Sequence, residues 1–307
     1  MSAPESAARS MTAREWGVLV TLSALWGGSF FFIEICLRAF TPLTLVFARL
    51  ALAAVALHIA LPVLRVKLPG GRMWGWYFVL GLFNNALPFS LMFWGLTRIG
   101  GSLASMLNAT TPLFTVLLAH FMTRDERLTP NRLAGCVLGV IGVGVMVGQE
   151  GLSGGGDTLA YLAVLGAGVC YAIAGILGRR VGQVPPLALA TGQLTAAAIL
   201  VAPLALLVER PLSMAMPGWQ PLLALLALAL VSTSFAYFLY FRLLKTAGAT
   251  NILLVTLLVP VSSTLLCVPL LGEELHAREV AGMCVIALGL LLVDGRIFRR
   301  RRVIPTP

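Results

Sequence analysis

FWGLTRIGGSLASMLNATTPLFTVLLAHFMTRDE (93–126) and FRLLKTAGATNILLVTLLVPVSSTLLCVPLLGEE (241–274) carry one pattern at an offset of 148 residues. Phe93 matches Phe241, Leu96 matches Leu244, Gly100 matches Gly248, Pro112 matches Pro260 and Glu126 matches Glu274. A weaker match at an offset of 144 pairs Pro42-Leu43 with Pro186-Leu187 and Leu45 with Leu189. The stretch Ser153-Gly154-Gly155-Gly156-Asp157 between the copies reads as a joint. The chain is therefore expected to be two related halves, 1–152 and 153–307.

Both copies are almost wholly apolar, and so is the rest of the chain. Hydrophobic residues make up 59% of 307 positions and charged residues 11%, with a mean hydropathy of +0.93. A soluble domain carries about 25% charged residues, because its wet surface needs polar cover. Lipid is the solvent this composition fits. A helix needs roughly 20 apolar residues to cross it, and helices satisfy their own backbone where water is absent. The expected spans are 16–36, 43–63, 74–96, 101–122 and 133–148, then 159–178, 187–208, 219–241, 247–271 and 280–294. The fold class is thus an all-α polytopic membrane protein with ten transmembrane helices. Five spans per half is an odd number, so the second half enters upside down. Inverted repeats are the architecture of alternating-access carriers, with substrate held near the midplane.

The loops orient the chain. Of 22 Lys and Arg, 17 fall on the side of the termini and four on the other, while Arg49 lies inside span 2. The positive-inside rule makes both termini cytoplasmic. With a net charge of +10, the expected electrostatic partner is anionic lipid headgroup rather than nucleic acid. The five cysteines lie inside apolar runs and read as reduced thiols. No GxxxxGK, HExxH or GxSxG motif occurs, so neither ATP hydrolysis, a metal, a cofactor nor an intramembrane enzyme is expected. A channel fits poorly with two pseudo-symmetric bundles. The oligomeric state is left open between monomer and homodimer; Gly135 and Gly139 form a GxxxG that permits close helix contact or dimerisation.

Residues 24–50, ALWGGSFFFIEICLRAFTPLTLVFARL, resemble the opening of the drug/metabolite transporter superfamily, in its ten-helix EamA-type branch. There a Trp-Gly-small motif precedes an Arg early in helix 2, here Trp26-Gly27 and Arg49. Gly101 to Glu126 and Ala249 to Glu274 resemble the branch's paired helix-4 and helix-9 signatures. The resemblance implies a cavity formed by helices 1, 3, 4, 6, 8 and 9, with helices 5 and 10 peripheral. It also implies a bacterial inner-membrane carrier, most similar to exporters of amino acids and related metabolites.

Candidate site residues follow from what is costly in lipid. Asn84, Asn85, Asn108 and Thr256 are polar groups at membrane depth, which line a substrate path or bond helices together. Trp26, Phe89, Phe93, Tyr171 and Tyr237 offer an apolar, cation-friendly wall; lipid-facing packing is the alternative. Pro112 and Pro260 each remove a backbone donor, giving a gating bend or a static kink. Glu34 and Arg49 are opposite charges in adjoining spans, expected either as a structural ion pair or with Glu34 as a proton-coupling acid. The expected substrate is a small neutral or zwitterionic metabolite.

Overall fold

A computed structural model describes residues 11–123, 128–152 and 157–294. Glu126, residues 153–156 of the joint and the basic C-terminal tail lie outside the described residues. Ten helices follow one another: α1 (Ala13–Leu37), α2 (Pro42–Val63), α3 (Met73–Gly95), α4 (Gly101–Met122), α5 (Pro130–Leu152), α6 (Thr158–Gly178), α7 (Pro186–Glu209), α8 (Trp219–Ala247), α9 (Ala249–Leu271) and α10 (Ala277–Asp294). Among the described residues the first nine are long and apolar enough to cross a membrane. The tenth runs 18 residues but carries Arg278, Glu279 and Asp294. The expected boundaries hold to within a few residues except at α8, which continues six residues past 241 to Ala247.

Local chemistry sets where the helices start and stop. Thr12 and Glu15 form a capping box at α1. Pro42 and Pro186 open α2 and α7, where their missing N–H is no loss. Gly272 ends α9 with φ +75, a conformation costly for any other residue. The outward faces carry Val140, Leu159, Leu207, Leu265 and Phe121, each more than 60% exposed. A water-soluble surface could not carry such a belt. The chain is a multi-pass membrane protein.

Packing makes the inversion visible. Gly135 of α5 lies against Gly289 of α10, and Gly142 against Gly282. Rising numbers on α5 meet falling numbers on α10, so these equivalent helices run antiparallel. A Cβ on Gly142 would meet the carbonyl oxygen of Gly282 at 2.8 Å, and one on Gly282 would meet that of Gly142 at 2.6 Å. The glycines on which a dimer contact was one expectation therefore serve, in part, a contact inside the chain: Gly135 touches α10, while Gly139 is filled by Leu113. The Trp-Gly motif has a similar cause. A Cβ on Gly27 would stand 2.7 Å from the Val259 carbonyl oxygen, so this glycine lets α1 and α9 touch backbone to backbone.

The two proline bends are not alike. Pro112 sits in the first turn after α4 breaks at Ala109 and Thr110. Pro260 sits inside an uninterrupted α9. Two π-helical segments are better matched: Leu82–Ala86 in α3 and Ala227–Phe235 in α8. The offset of 148 carries the first segment into the second, so both repeats widen the same turn. Such turns concentrate at functional sites because they re-aim side chains.

Candidate functional site

The π segments carry Asn84 and Asn85 on α3 and Ser232, Thr233 and Ser234 on α8. Between them a bonded cluster forms around the Tyr237 hydroxyl. Asn84 Nδ2 and Asn85 Nδ2 each donate to Tyr237 Oη at 3.3 Å, and Gln193 Nε2 donates at 3.4 Å. Asn84 Nδ2 also donates to Gln193 Oε1 at 3.3 Å. Asn85 is fully buried, and its Oδ1 finds no partner among the described residues. A buried amide acceptor left bare costs about 1–3 kcal/mol.

Arg49 completes the cluster from α2. It is 6% exposed. Its Nε donates to Thr233 Oγ1 at 2.9 Å, and Thr233 passes the bond on to the Leu228 carbonyl. The guanidinium lies 4.1 Å above the Phe89 ring and 5.7 Å from Phe93, whose rings stack 6.0 Å apart. Tyr171 and Tyr237 are its electrostatic neighbours. A cation at mid-helix costs roughly 2.5–3.5 kcal/mol on an insertion scale. A charged hydrogen bond worth about 1.5–3 kcal/mol and a desolvated cation–π contact worth about 2 kcal/mol offset that. Arg49 is thus tolerated without a counter-ion among the described residues.

The expected Glu34–Arg49 pair does not form. Glu34 instead accepts the Gly101 backbone N–H and is hydrogen-bonded to Glu273. Glu273 accepts Gly101 N–H at 2.6 Å and Ser102 N–H at 3.0 Å. The start of α4 attracts both acids because its first amides lack partners and the helix dipole is positive there. Burial disfavours charge on Glu273, yet bonds from Glu34, Ser102 and Gly101 prevail and hold its carboxyl below the usual carboxylate range. Cys267 stands beside the pair, its ligand atom within 4.8 Å of theirs. One Glu34 oxygen and both Glu273 oxygens accept backbone donors there. The repeat register singled out Glu274, but that residue is exposed and Glu273 turns inward.

The remaining expectations divide. Trp26 packs on Tyr240 at 5.6 Å. Asn108 Oδ1 is buried without a partner among the described residues, and Thr256 is half-buried at the equivalent position of α9. Two participants escaped the sequence reading. Gln193 was legible in principle, since the offset of 144 sets it opposite Arg49. Glu209 was not: it accepts from Thr41 and from the Leu43 and Thr44 amides at 3.1 and 2.7 Å, binding the end of α7 to the start of α2. The implied cavity-forming set also omitted α2 and α7, which supply Arg49 and Gln193.

The Tyr237 hydroxyl accepts from three side-chain amide donors. Tyr237→Phe is expected to lower stability by about 1–3 kcal/mol, read as a lowered melting midpoint in detergent. Tyr171→Phe, whose hydroxyl is outside that bonded set, is expected to change it less.

The family model described as "EamA-like transporter family" matches residues 15–148 and again 158–294. The "Probable amino-acid metabolite efflux pump" of Salmonella typhimurium is 28% identical over 95% of this chain and 98% of its own. The "Probable terminal-alkyne amino-acid exporter" of Streptantibioticus cattleyicolor is also 28% identical, over 95% and 97%. "Protein PecM" of Dickeya dadantii is 25% identical over 91% and 92%. One crystal structure superposes with a TM-score of 0.67 over 95% of this chain and 100% of the other, at 22% identity, which speaks to the fold.

Proposed function

Because the chain belongs to the EamA-like transporter family of the drug/metabolite transporter superfamily, whose members are transporters rather than enzymes, we propose that it exports small neutral or zwitterionic metabolites, amino acids with apolar side chains foremost, across a bacterial inner membrane. The observation that carries this reading is the mid-depth cluster of Asn84, Asn85, Gln193, Tyr237, Thr233 and Arg49 between antiparallel repeats. Polar and charged groups gathered at that depth face the bundle interior and mark a substrate path. The half-buried Trp26, packed on Tyr240, suits an apolar side chain. Two inverted halves exchange conformations at similar energy, which supports alternating access. The surplus of Lys and Arg in the loops supports cytoplasmic termini and contact with anionic headgroups.

Efflux of organic cations is the second reading, favoured by the aromatic faces of Phe89 and Phe93. Arg49 already occupies them, and its charge repels a second cation. Counterflow in proteoliposomes separates the readings. Internal unlabelled leucine is expected to accelerate uptake of labelled leucine severalfold over empty vesicles, whereas a quaternary ammonium compound is not. Acceleration by the ammonium compound alone would reverse the assignment.

A further inference from the structure

The cluster has a broken twofold symmetry. Arg49 lies seven residues past Pro42, and Gln193 seven past Pro186. At 1.5 Å per residue each side chain departs about 10 Å from the start of its helix. Because α2 and α7 run in opposite directions, the two starts are at opposite ends of the bundle. Their surroundings correspond too. Arg49 lies over Phe89 and bonds Thr233. Gln193 bonds Tyr237 and Asn84. The offset of 148 relates Phe89 to Tyr237 and Asn85 to Thr233. The aromatic partner of one pole maps onto that of the other. The polar partner shifts by one residue from Asn85, the match of Thr233, to Asn84, and one pole is a cation where the other is a carboxamide.

No described acid answers that cation. Glu34 and Glu273 bond each other and the start of α4, and Glu209 caps α2. A hydroxyl and a ring face make Arg49 tolerable, but its guanidinium carries five donors and only Nε is engaged by Thr233. The free fork is the shape that recognises a carboxylate with two parallel bonds. We infer that Arg49 anchors the carboxylate of the transported molecule, while the Gln193, Asn84 and Tyr237 pole receives its uncharged or ammonium end. This rests on the reading of the chain as a carrier of amino-acid-like metabolites and narrows it. The recognised feature is a carboxylate on a compact apolar body, and the amino group is secondary.

The test uses four probes of nearly one shape: leucine, leucinamide, 4-methylpentanoate and isopentylamine. Counterflow is measured with wild-type protein, R49K and R49Q in proteoliposomes, and melting midpoints in detergent report folding. Leucine and 4-methylpentanoate are expected to exchange, and leucinamide and isopentylamine to do so at least about tenfold less, the discrimination a lost charged hydrogen bond brings. R49Q makes the two poles alike and is expected to lose that preference; R49K keeps the charge without the fork and falls between. Exchange of leucinamide equal to that of leucine, or R49Q matching wild type on leucine, overturns the carboxylate anchor and leaves amino-acid transport standing. Exchange of none of the four by wild-type protein overturns the amino-acid reading itself. Should R49Q fail to fold, the wild-type panel alone decides the matter.

Discussion

Gly142→Leu is expected to remove most folded protein from the membrane, the largest effect of any single change considered. The added side chain would have to occupy space 2.8 Å from the Gly282 carbonyl oxygen and 2.9 Å from the Ile286 amide nitrogen. Those are backbone atoms in a helix, so no rotamer change clears them. Overpacking a close-packed interior typically costs 1–3 kcal/mol when side chains can shift, and here they cannot. The helices must part, and with them the contacts at Gly135, Gly282 and Gly289. Gly144→Leu is the control, because a Cβ at Gly144 meets nothing within 4 Å. Size-exclusion profiles of the fluorescently tagged variants would show a monodisperse peak for the control and its loss for Gly142→Leu. An intact peak for both would mean that α5 and α10 are not interlocked.

Glu273→Ala is expected to open the end of the bundle where α1, α4 and α9 meet. Glu273 belongs to the second repeat and grips the first amides of α4 in the first, while Glu34 braces it from α1. Removing it leaves the Ser102 amide without that acceptor, and charged bonds of this kind are worth about 1.5–3 kcal/mol each. A loss of that size shifts a two-state balance by a factor of roughly ten to a hundred. Cys267 reports the change. It is fully buried beside the pair, and Ser263 and the start of α4 cover it. In a variant whose sole cysteine is Cys267, a water-soluble maleimide should label Glu273→Ala many times faster than the parent. Equal labelling would show that the acids do not hold this end shut.

Much of this arrangement can be read from the chain itself. Span count and inversion follow from apolar run length and from the repeat that Pro112 and Pro260 mark, and Arg49 is read directly as a charge seven residues into its span. The pairing of Glu34 with Arg49 does not survive, for a reason a linear reading cannot supply. Opposite charges on neighbouring spans attract, but unpaired amides at a helix start attract a carboxylate as strongly, and Gly101 is 67 residues from Glu34. Phe238 and Trp94 show the same gap. Both sit among the aromatic residues of candidate spans, yet both are exposed on the outer face while Phe89 and Phe93 are buried.

The sequence alone determined that this chain lives in lipid as two oppositely inserted halves, because apolar length, loop charge and internal repetition are properties of one dimension. The tertiary structure alone decided which polar groups meet. The π turns in α3 and α8 rotate Asn85 and Thr233 inward, and antiparallel α2 and α7 bring Arg49 and Gln193 to the same cluster from opposite ends. Partners across a bundle are chosen by helix phase and depth, and a change of one residue in a single turn redirects a side chain by about 100°, a rotation that the order of residues does not reveal.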